Sequence, residues 1–386
     1  MQQYNYPTTI YFGEGSIVAL GEKLKAESLK NILLVTDKTL YELGIVQEVL
    51  DLLTNSEKQF FIFDKVHPNP LEEDVKKGVQ AFRDNQCDSI IALGGGSPMD
   101  AAKVIKLSVA HDGPLDQYDD ALGGDRSIKN IMPPMYAIPT TAGTGSEVGR
   151  SGVIIMKKTG KKTIFFAPQL IPDIAVLDPT VTVKLPSHIT AATGIDALTH
   201  CLEAYLAPGF DPMANGIALE GISLVLSALP EAYKNGFNLE ARGKMLMAAT
   251  MGATAFQKGL GMTHSLAHPL SSKFQLHHGL AIALLLPFVL NFLENRLSKT
   301  DNISGLNRLK NIQALFKKIG IEGENLSDCC SFFIKSLDVH FGLVQHGIHE
   351  NSIEQLTEEA FYDPCHQTNI IPVTRDDLAM VYRAAL

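Results

Sequence analysis

The chain has 386 residues, 45% apolar and 19% charged, with 33 basic against 42 acidic side chains and a formal charge of −9. That length exceeds a single domain of ~100–200 residues, and the apolar share excludes a disordered chain. The acidic balance, without a long Lys or Arg run, excludes a nucleic-acid partner.

The N-terminal stretch MQQYNYPTTI has neither the basic start nor the apolar segment of a secretory signal, so a cytoplasmic location is expected. From residue 1 to 183, short β-branched runs alternate with amphipathic stretches, as in an α/β domain with a parallel sheet. Strands are expected at Asn31–Thr36, Gln59–Phe63, Ser89–Leu93, Met135–Ile138 and Ile174–Leu177, and helices at Ile45–Leu53 and Glu72–Arg83. From residue 184 to 386 the texture becomes Ala- and Leu-rich. Helical runs at Ala191–Leu206, Met213–Leu229, Glu240–Phe256 and Leu280–Asn295 make an all-helical second domain. The most apolar run, Leu280–Leu293, is interrupted by Pro287 and Asn291 and falls short of the ~20 residues that cross a bilayer. It reads as a buried helix, and no membrane partner is expected.

Five cysteines (Cys87, Cys201, Cys329, Cys330 and Cys365), an odd number with no CxxC pair, argue for reduced thiols rather than a disulfide framework or thiolate zinc site.

Four motifs carry chemistry. In the first, the run Ile90–Leu93 enters Gly94-Gly95-Gly96-Ser97-Pro98-Met99-Asp100, where Ser97 is expected to cap a helix and Asp100 to complete a capping box. Three glycines let backbone N–H groups and the positive helix end approach a diphosphate closely; the alternative is a plain strand-to-helix turn. In the second, Thr140, Thr141 and Thr144 in Pro139-Thr140-Thr141-Ala142-Gly143-Thr144-Gly145-Ser146 offer hydroxyls to phosphate or ribose, or simply form a turn. In the third, Asp37 follows a strand, where a carboxylate either accepts from adenosine ribose hydroxyls, favouring NAD over NADP, or caps the next helix.

The fourth is the most specific. Asp196 and His200 stand four apart on an Ala-rich helical run and share one face; His264 and His268 repeat that spacing, and His277-His278 follow. Unpaired imidazoles and carboxylates are costly in so apolar a region, and a shared cation would satisfy them together. Asp196, His200, His264 and His278, three imidazoles and one carboxylate, suit Fe²⁺ or Zn²⁺.

On these motifs the chain resembles, over nearly its whole length, the iron-dependent (group III) alcohol dehydrogenase family, in the branch of lactaldehyde reductase and 1,3-propanediol dehydrogenase. The resemblance implies a Rossmann-like nucleotide domain followed by a helical metal-binding domain, the dehydroquinate synthase-like fold, with NAD and Fe²⁺ as cofactors and Zn²⁺ as the alternative ion. It implies that Asp196, His200, His264 and His278 bind the metal and that His268 stands beside nicotinamide and substrate as a proton relay. It further implies cofactor contacts from Gly94, Gly95, Gly96, Ser97, Thr140, Thr141, Thr144, Asp37, Asn69 and Lys162. The reaction expected is metal-polarised hydride transfer on a short-chain alcohol or aldehyde, in the cleft between the domains, by a homo-oligomer of at least two chains. Phe256, Arg150 and Ser151 fall near the expected pocket without selecting a substrate. The chain departs from the pattern at Cys365-His366-Gln367-Thr368-Asn369-Ile370, which keeps the Asn of the relatives' Asn-Pro-Arg and loses the Pro and Arg. The rival readings are a zinc enzyme of the glycerol dehydrogenase kind, a metal-dependent carbon–oxygen lyase of the dehydroquinate synthase kind, and a non-catalytic binding protein. The first two are expected to lack the helical partner His200.

Overall fold

Runs such as Ile90–Leu93 are apolar on both faces, which suits strands covered by helices above and below. The computed structural model describes residues 8–386; the first seven, part of the stretch read for a leader, lie outside the described residues. Two compact units emerge, one of residues up to 141 together with 145–184, the other of 142–144 and 185–386.

The first unit runs β1 (Thr9–Phe12), α1 (Ser16–Lys25), β2 (Asn31–Val35), α2 (Lys38–Glu42), α3 (Ile45–Leu52), β3 (Gln59–Phe63), α4 (Glu72–Asp84), β4 (Ser89–Gly94), α5 (Gly96–Ala110), β5 (Met135–Pro139), β6 (Ser151–Ile155), β7 (Lys162–Phe166) and β8 (Ile174–Leu177). Six strands form one parallel sheet in the order β1-β8-β5-β4-β2-β3. Successive side chains point to opposite faces. Ile32, Leu34, Ile91 and Leu93 therefore pack in one core with Ile17, Leu20 and Val49, while Leu33, Val35, Ile90 and Ala92 pack in another with Val75, Val104 and Ile105. Asp37, Gly94 and Thr140 all lie at the carboxyl ends of neighbouring strands, where open parallel sheets bind ligands.

Two features differ from expectation. The edge strand β1 was not anticipated, since none of its four residues is fully buried and it lacks the continuous apolar run of the equally short β8. The antiparallel hairpin β6–β7 was also missed, its apolar alternation being diluted by the Lys157–Lys162 turn. Gly152 in β6 lets the hairpin sit on α5, because a Cβ there would stand 2.9 Å from Val104 Cγ2.

The second unit is α6 (Ser187–Leu206), α7 (Pro212–Lys234), α8 (Leu239–Ala255), α9 (Met262–Phe274), α10 (His278–Leu297), α11 (Ile303–Lys318), α12 (Leu326–Lys335), α13 (Ile353–Tyr362) and α14 (Arg375–Ala384). Helix α6 is its axis: every residue from Thr190 onward is buried, against α7, α8 and α10. Close approach depends on missing side chains. A Cβ on Gly252 of α8 would stand 3.0 Å from His200 Cβ, and one on Gly279 of α10 would stand 2.2 Å from Ala192 O. The apolar run near residue 280 proves to be a 20-residue helix, long and apolar enough by length and composition to cross a bilayer, as is α7. Burial explains α10 otherwise: Ala281–Pro287 are buried in the helical core.

Candidate functional site

Within the first unit, the glycine loop and its neighbours converge. Gly94 takes φ 149°, a conformation closed to ordinary side chains, and a Cβ there would stand 2.6 Å from Pro98 Cγ and 3.2 Å from Leu40 Cδ1. A Cβ on Gly95 would stand 3.1 Å from Thr141 Oγ1, and Thr140 N donates to Gly94 O at 3.0 Å, so the two loops adjoin. The expected capping box is not formed. Helix α5 starts two residues earlier than Ser97 requires, with Gly95 as N-cap and no side-chain cap. Ser97 Oγ instead donates to Pro68 O at 2.5 Å, tying the loop to the segment that carries Asn69. Uncapped N–H groups at the start of a 15-residue helix are donors available to a diphosphate.

Asp37 does cap its helix: Oδ1 accepts from Leu40 N at 3.0 Å. Asn69 is half-buried, whereas Lys162 is exposed on β7. Thr144 is exposed and belongs with residues 142–144 to the helical unit, apart from Thr140 and Thr141. Ser151 opens β6, and its carbonyl accepts from Lys103 Nζ at 2.9 Å; Arg150 lies over the Phe166 ring at 5.3 Å.

Within the second unit, Asp196 and His200 project from α6, His264 from the first turn of α9 and His268 from its middle, and His278 from the first position of α10. Around Asp196 Oδ1 stand His264 Nε2 at 3.6 Å, His278 Nε2 at 3.6 Å and His200 Nε2 at 3.7 Å. Those separations are too long for hydrogen bonds. A tetrahedron with arms of ~2.0–2.2 Å has edges of ~3.3–3.6 Å, so the spacing suits four donors around one ion. Asp196 Oδ1 and His264 Nε2 are buried without a hydrogen-bond partner, a cost that a cation removes. The residues present therefore fit a divalent ion with an N₃O set. His200 and His264 stack at 4.7 Å, His278 stacks on His268 at 5.2 Å, and Phe256 leans on His200 at 5.0 Å.

The electrostatics agree at three of the four side chains. Burial alone would raise the Asp196 carboxyl, but the imidazoles of His200, His278 and His264 hold it well below the carboxylate range. Burial pushes His200 down to about 4, only partly countered by Asp196, and lowers His278 in the same way. Neutral imidazoles at His200 and His278 beside an ionised carboxylate are the protonation states that a metal needs. His264 differs: burial lowers it, but Glu203 and Asp196 outweigh burial and push it up to about 10, so an incoming cation has to displace a proton there.

Two acidic residues were missed from sequence. Glu203, buried on α6, accepts from His264 Nδ1 at 2.6 Å. Its signal was present, since Asp196, His200 and Glu203 fall at i, i+4 and i+7 of one helix. Asp363 Oδ2 lies 2.7 Å from His268 Nδ1, while Oδ1 accepts from Ser265 Oγ and Cys365 N, each at 2.9 Å. Ligand atoms of His268, Asp363 and Cys365 also cluster. Burial and the adjacent Asp363 keep the Cys365 thiol protonated, however, and the carboxylate–imidazole pair is already satisfied. In the C-terminal segment that lacks Pro and Arg, Asn369 Oδ1 accepts from Met262 N at 3.2 Å, which helps to start α9.

Residues 7–179 match the family model for iron-containing alcohol dehydrogenase, and residues 190–386 match that for the C-terminal region of the Fe-containing alcohol dehydrogenase family. The chain belongs to the iron-containing alcohol dehydrogenase family. As such it is an alcohol oxidoreductase. It is 36% identical to 4-hydroxybutyrate dehydrogenase of Cupriavidus necator over 94% of each chain, and 33% identical to NAD-dependent methanol dehydrogenase of Bacillus methanolicus over the full length of both. Among solved structures, 1,3-propanediol oxidoreductase superposes with a TM-score of 0.90 at 32% identity, covering all of both chains. Such neighbours share the parallel-sheet unit followed by a helical unit, which establishes the fold class for this iron-containing alcohol dehydrogenase.

Proposed function

We propose that this iron-containing alcohol dehydrogenase is an NAD-linked, Fe²⁺-dependent enzyme for short-chain alcohols and aldehydes. Asp196, His200, His264 and His278 are the metal ligands and His268 the proton-handling group. The reading is carried by one observation: three imidazole nitrogens stand 3.6–3.7 Å from a buried carboxylate oxygen that has no hydrogen-bond partner. When bound, the cation supplies Lewis-acid polarisation of the substrate oxygen and the nicotinamide supplies the hydride chemistry. The chain does the rest. Asp196 holds fixed negative charge, and Glu203 keeps the proton of His264 on Nδ1, leaving Nε2 as a donor of electrons. Asp363 orients the half-exposed His268 through Nδ1, so that Nε2 is the atom that exchanges a proton with substrate or solvent.

For the cofactor, the uncapped N-terminus of α5 with Gly94–Ser97 receives the diphosphate, flanked by Thr140, Thr141 and Asn69. One oxygen of Asp37 caps α2, and the carboxylate favours NAD by repelling a 2′-phosphate. The N₃O donor set accepts Fe²⁺ or Zn²⁺, the family's name favours Fe²⁺, and the name of the Bacillus relative favours NAD. The names of the relatives point to short substrates with a terminal hydroxyl, methanol, 1,3-propanediol and 4-hydroxybutyrate among them. Prolonged chelation should abolish NADH-dependent aldehyde reduction, and Fe²⁺ should restore it best. Undiminished turnover by a metal-free preparation would contradict the proposal.

A further inference from the structure

Glu203 is a buried carboxylate in the last turn of α6, the negative end of the helix dipole, where an acid is disfavoured. Cations offset that end: Lys258 Nζ donates to the carbonyls of Ala204 and Tyr205, and Arg308 to those of Tyr205 and Ala207. The carboxylate itself is saturated by three donors from a single short stretch. Oε2 accepts from Gly261 N at 2.8 Å and from His264 Nδ1 at 2.6 Å, and Oε1 accepts from Thr263 N at 2.7 Å. Helix α9 begins on Gly261 with no side-chain cap of its own, so Glu203 supplies the cap from another helix. Gly261 makes room for it, because a Cβ there would stand 2.8 Å from Glu203 Oε1.

From this geometry we infer that Glu203 is a positioning residue for the cation, holding the first turn of α9 in place and His264 in the Nδ1–H tautomer with Nε2 aimed at Asp196. An acceptor that already takes two backbone N–H groups is an ionised, acceptor-only carboxylate, so the proton between it and His264 resides on the ring. Without it, a neutral His264 is free to protonate on Nε2, the nitrogen a metal needs bare, and two buried backbone donors lose their partner. This inference rests on the metal reading above and adds a residue to it.

The test is Zn²⁺ affinity, measured by competition with a chromophoric chelator, alongside thermal melting of the metal-free protein. Glu203→Gln preserves shape and one acceptor oxygen but turns an amide N–H toward His264. Its Zn²⁺ dissociation constant is expected to rise ~10- to 100-fold, and the increase to vanish in a His264→Ala background. Glu203 as a mere helix cap predicts a lower melting temperature with an affinity within about threefold of wild type, and that result would overturn the role. Should Glu203→Gln fail to fold, a long-range ¹H–¹⁵N spectrum of the Zn²⁺-loaded wild type decides: His264 carrying its proton on Nδ1 is expected, and His264 free of a proton there overturns it. Absence of Zn²⁺ uptake by the wild type would overturn the metal reading itself, whereas uptake equal in wild type and Glu203→Gln would overturn the role of Glu203 alone.

Discussion

Lys103 in the α/β unit and Asp196 in the helical unit are both buried charges, 0% and 2% exposed, yet their surroundings differ in kind. The Lys103 ammonium donates to Ser146 Oγ at 2.8 Å and to Ser151 O, while Ser146 Oγ donates to Asp100 Oδ1 at 2.9 Å and Val153 N to Asp100 Oδ2 at 3.2 Å. That cluster is closed within the chain and ties the start of α5 to the hairpin. The Asp196 cluster is open: its imidazoles are held back at 3.6–3.7 Å, so its stabilising partner has to come from outside. Hydrogen-bond satisfaction thus separates buried charge that builds the fold from buried charge that serves chemistry.

Substitutions should separate the two clusters. The largest effect is expected at the open one, where Asp196→Ala should lose bound metal and reduce turnover on the order of 10³-fold or more. Stability in the presence of chelator should change by less than ~1 kcal/mol; a large loss in the metal-free protein would make the two clusters alike. At the closed cluster, Lys103→Met should cost ~3–5 kcal/mol in denaturant unfolding by leaving Asp100 uncompensated. A stability matching wild type would show that the network is dispensable.

Next in size is Asp363→Asn, which should lower kcat roughly 10- to 100-fold with metal content intact, since His268 loses its orienting acceptor; unchanged kcat would remove His268 from the proton path. The smallest effect is expected from Asp37→Ala. Loss of the cap on α2 should cost ~1 kcal/mol, and the preference for NAD over NADP should relax. A stability change with unaltered cofactor choice would assign Asp37 to capping alone.

The closed cluster also has a pH signature. Burial lowers Lys103 from its ordinary 10.5 to about 8, partly countered by Asp100 and Glu147. Between those values the unfolded chain binds more protons than the folded one, so this group makes stability rise as pH climbs from about 8 to about 10.5. Lys103→Met should flatten that rise in unfolding measured across the range.

Much of this was legible in advance, for identifiable reasons. Buried parallel strands are continuous apolar runs, so β2, β4, β5 and β8 stood out, and the aromatic-rich edge strand β3 with them, while β1 and the hairpin were too exposed or too polar. The i, i+4 spacing exposed Asp196 with His200, because a polar pair on an Ala-rich face is conspicuous. Glu203 escaped because an acid before Ala-Tyr-Leu reads as an exposed position, and only its three donors show otherwise. Asp363 escaped because its partner His268 is 95 residues away. Ser97 was misread as a cap because the competing acceptor, the carbonyl of Pro68, lies 29 residues upstream. Local signals were readable; partners chosen by the tertiary fold were not.

Anomalous diffraction from crystals of the Fe²⁺-loaded protein, collected at the iron edge, shows whether these four side chains hold the ion. A single strong peak is expected within ~2.0–2.3 Å of an Asp196 carboxylate oxygen and Nε2 of His200, His264 and His278. A peak bound elsewhere on the chain, or none among these four side chains, would contradict the metal assignment.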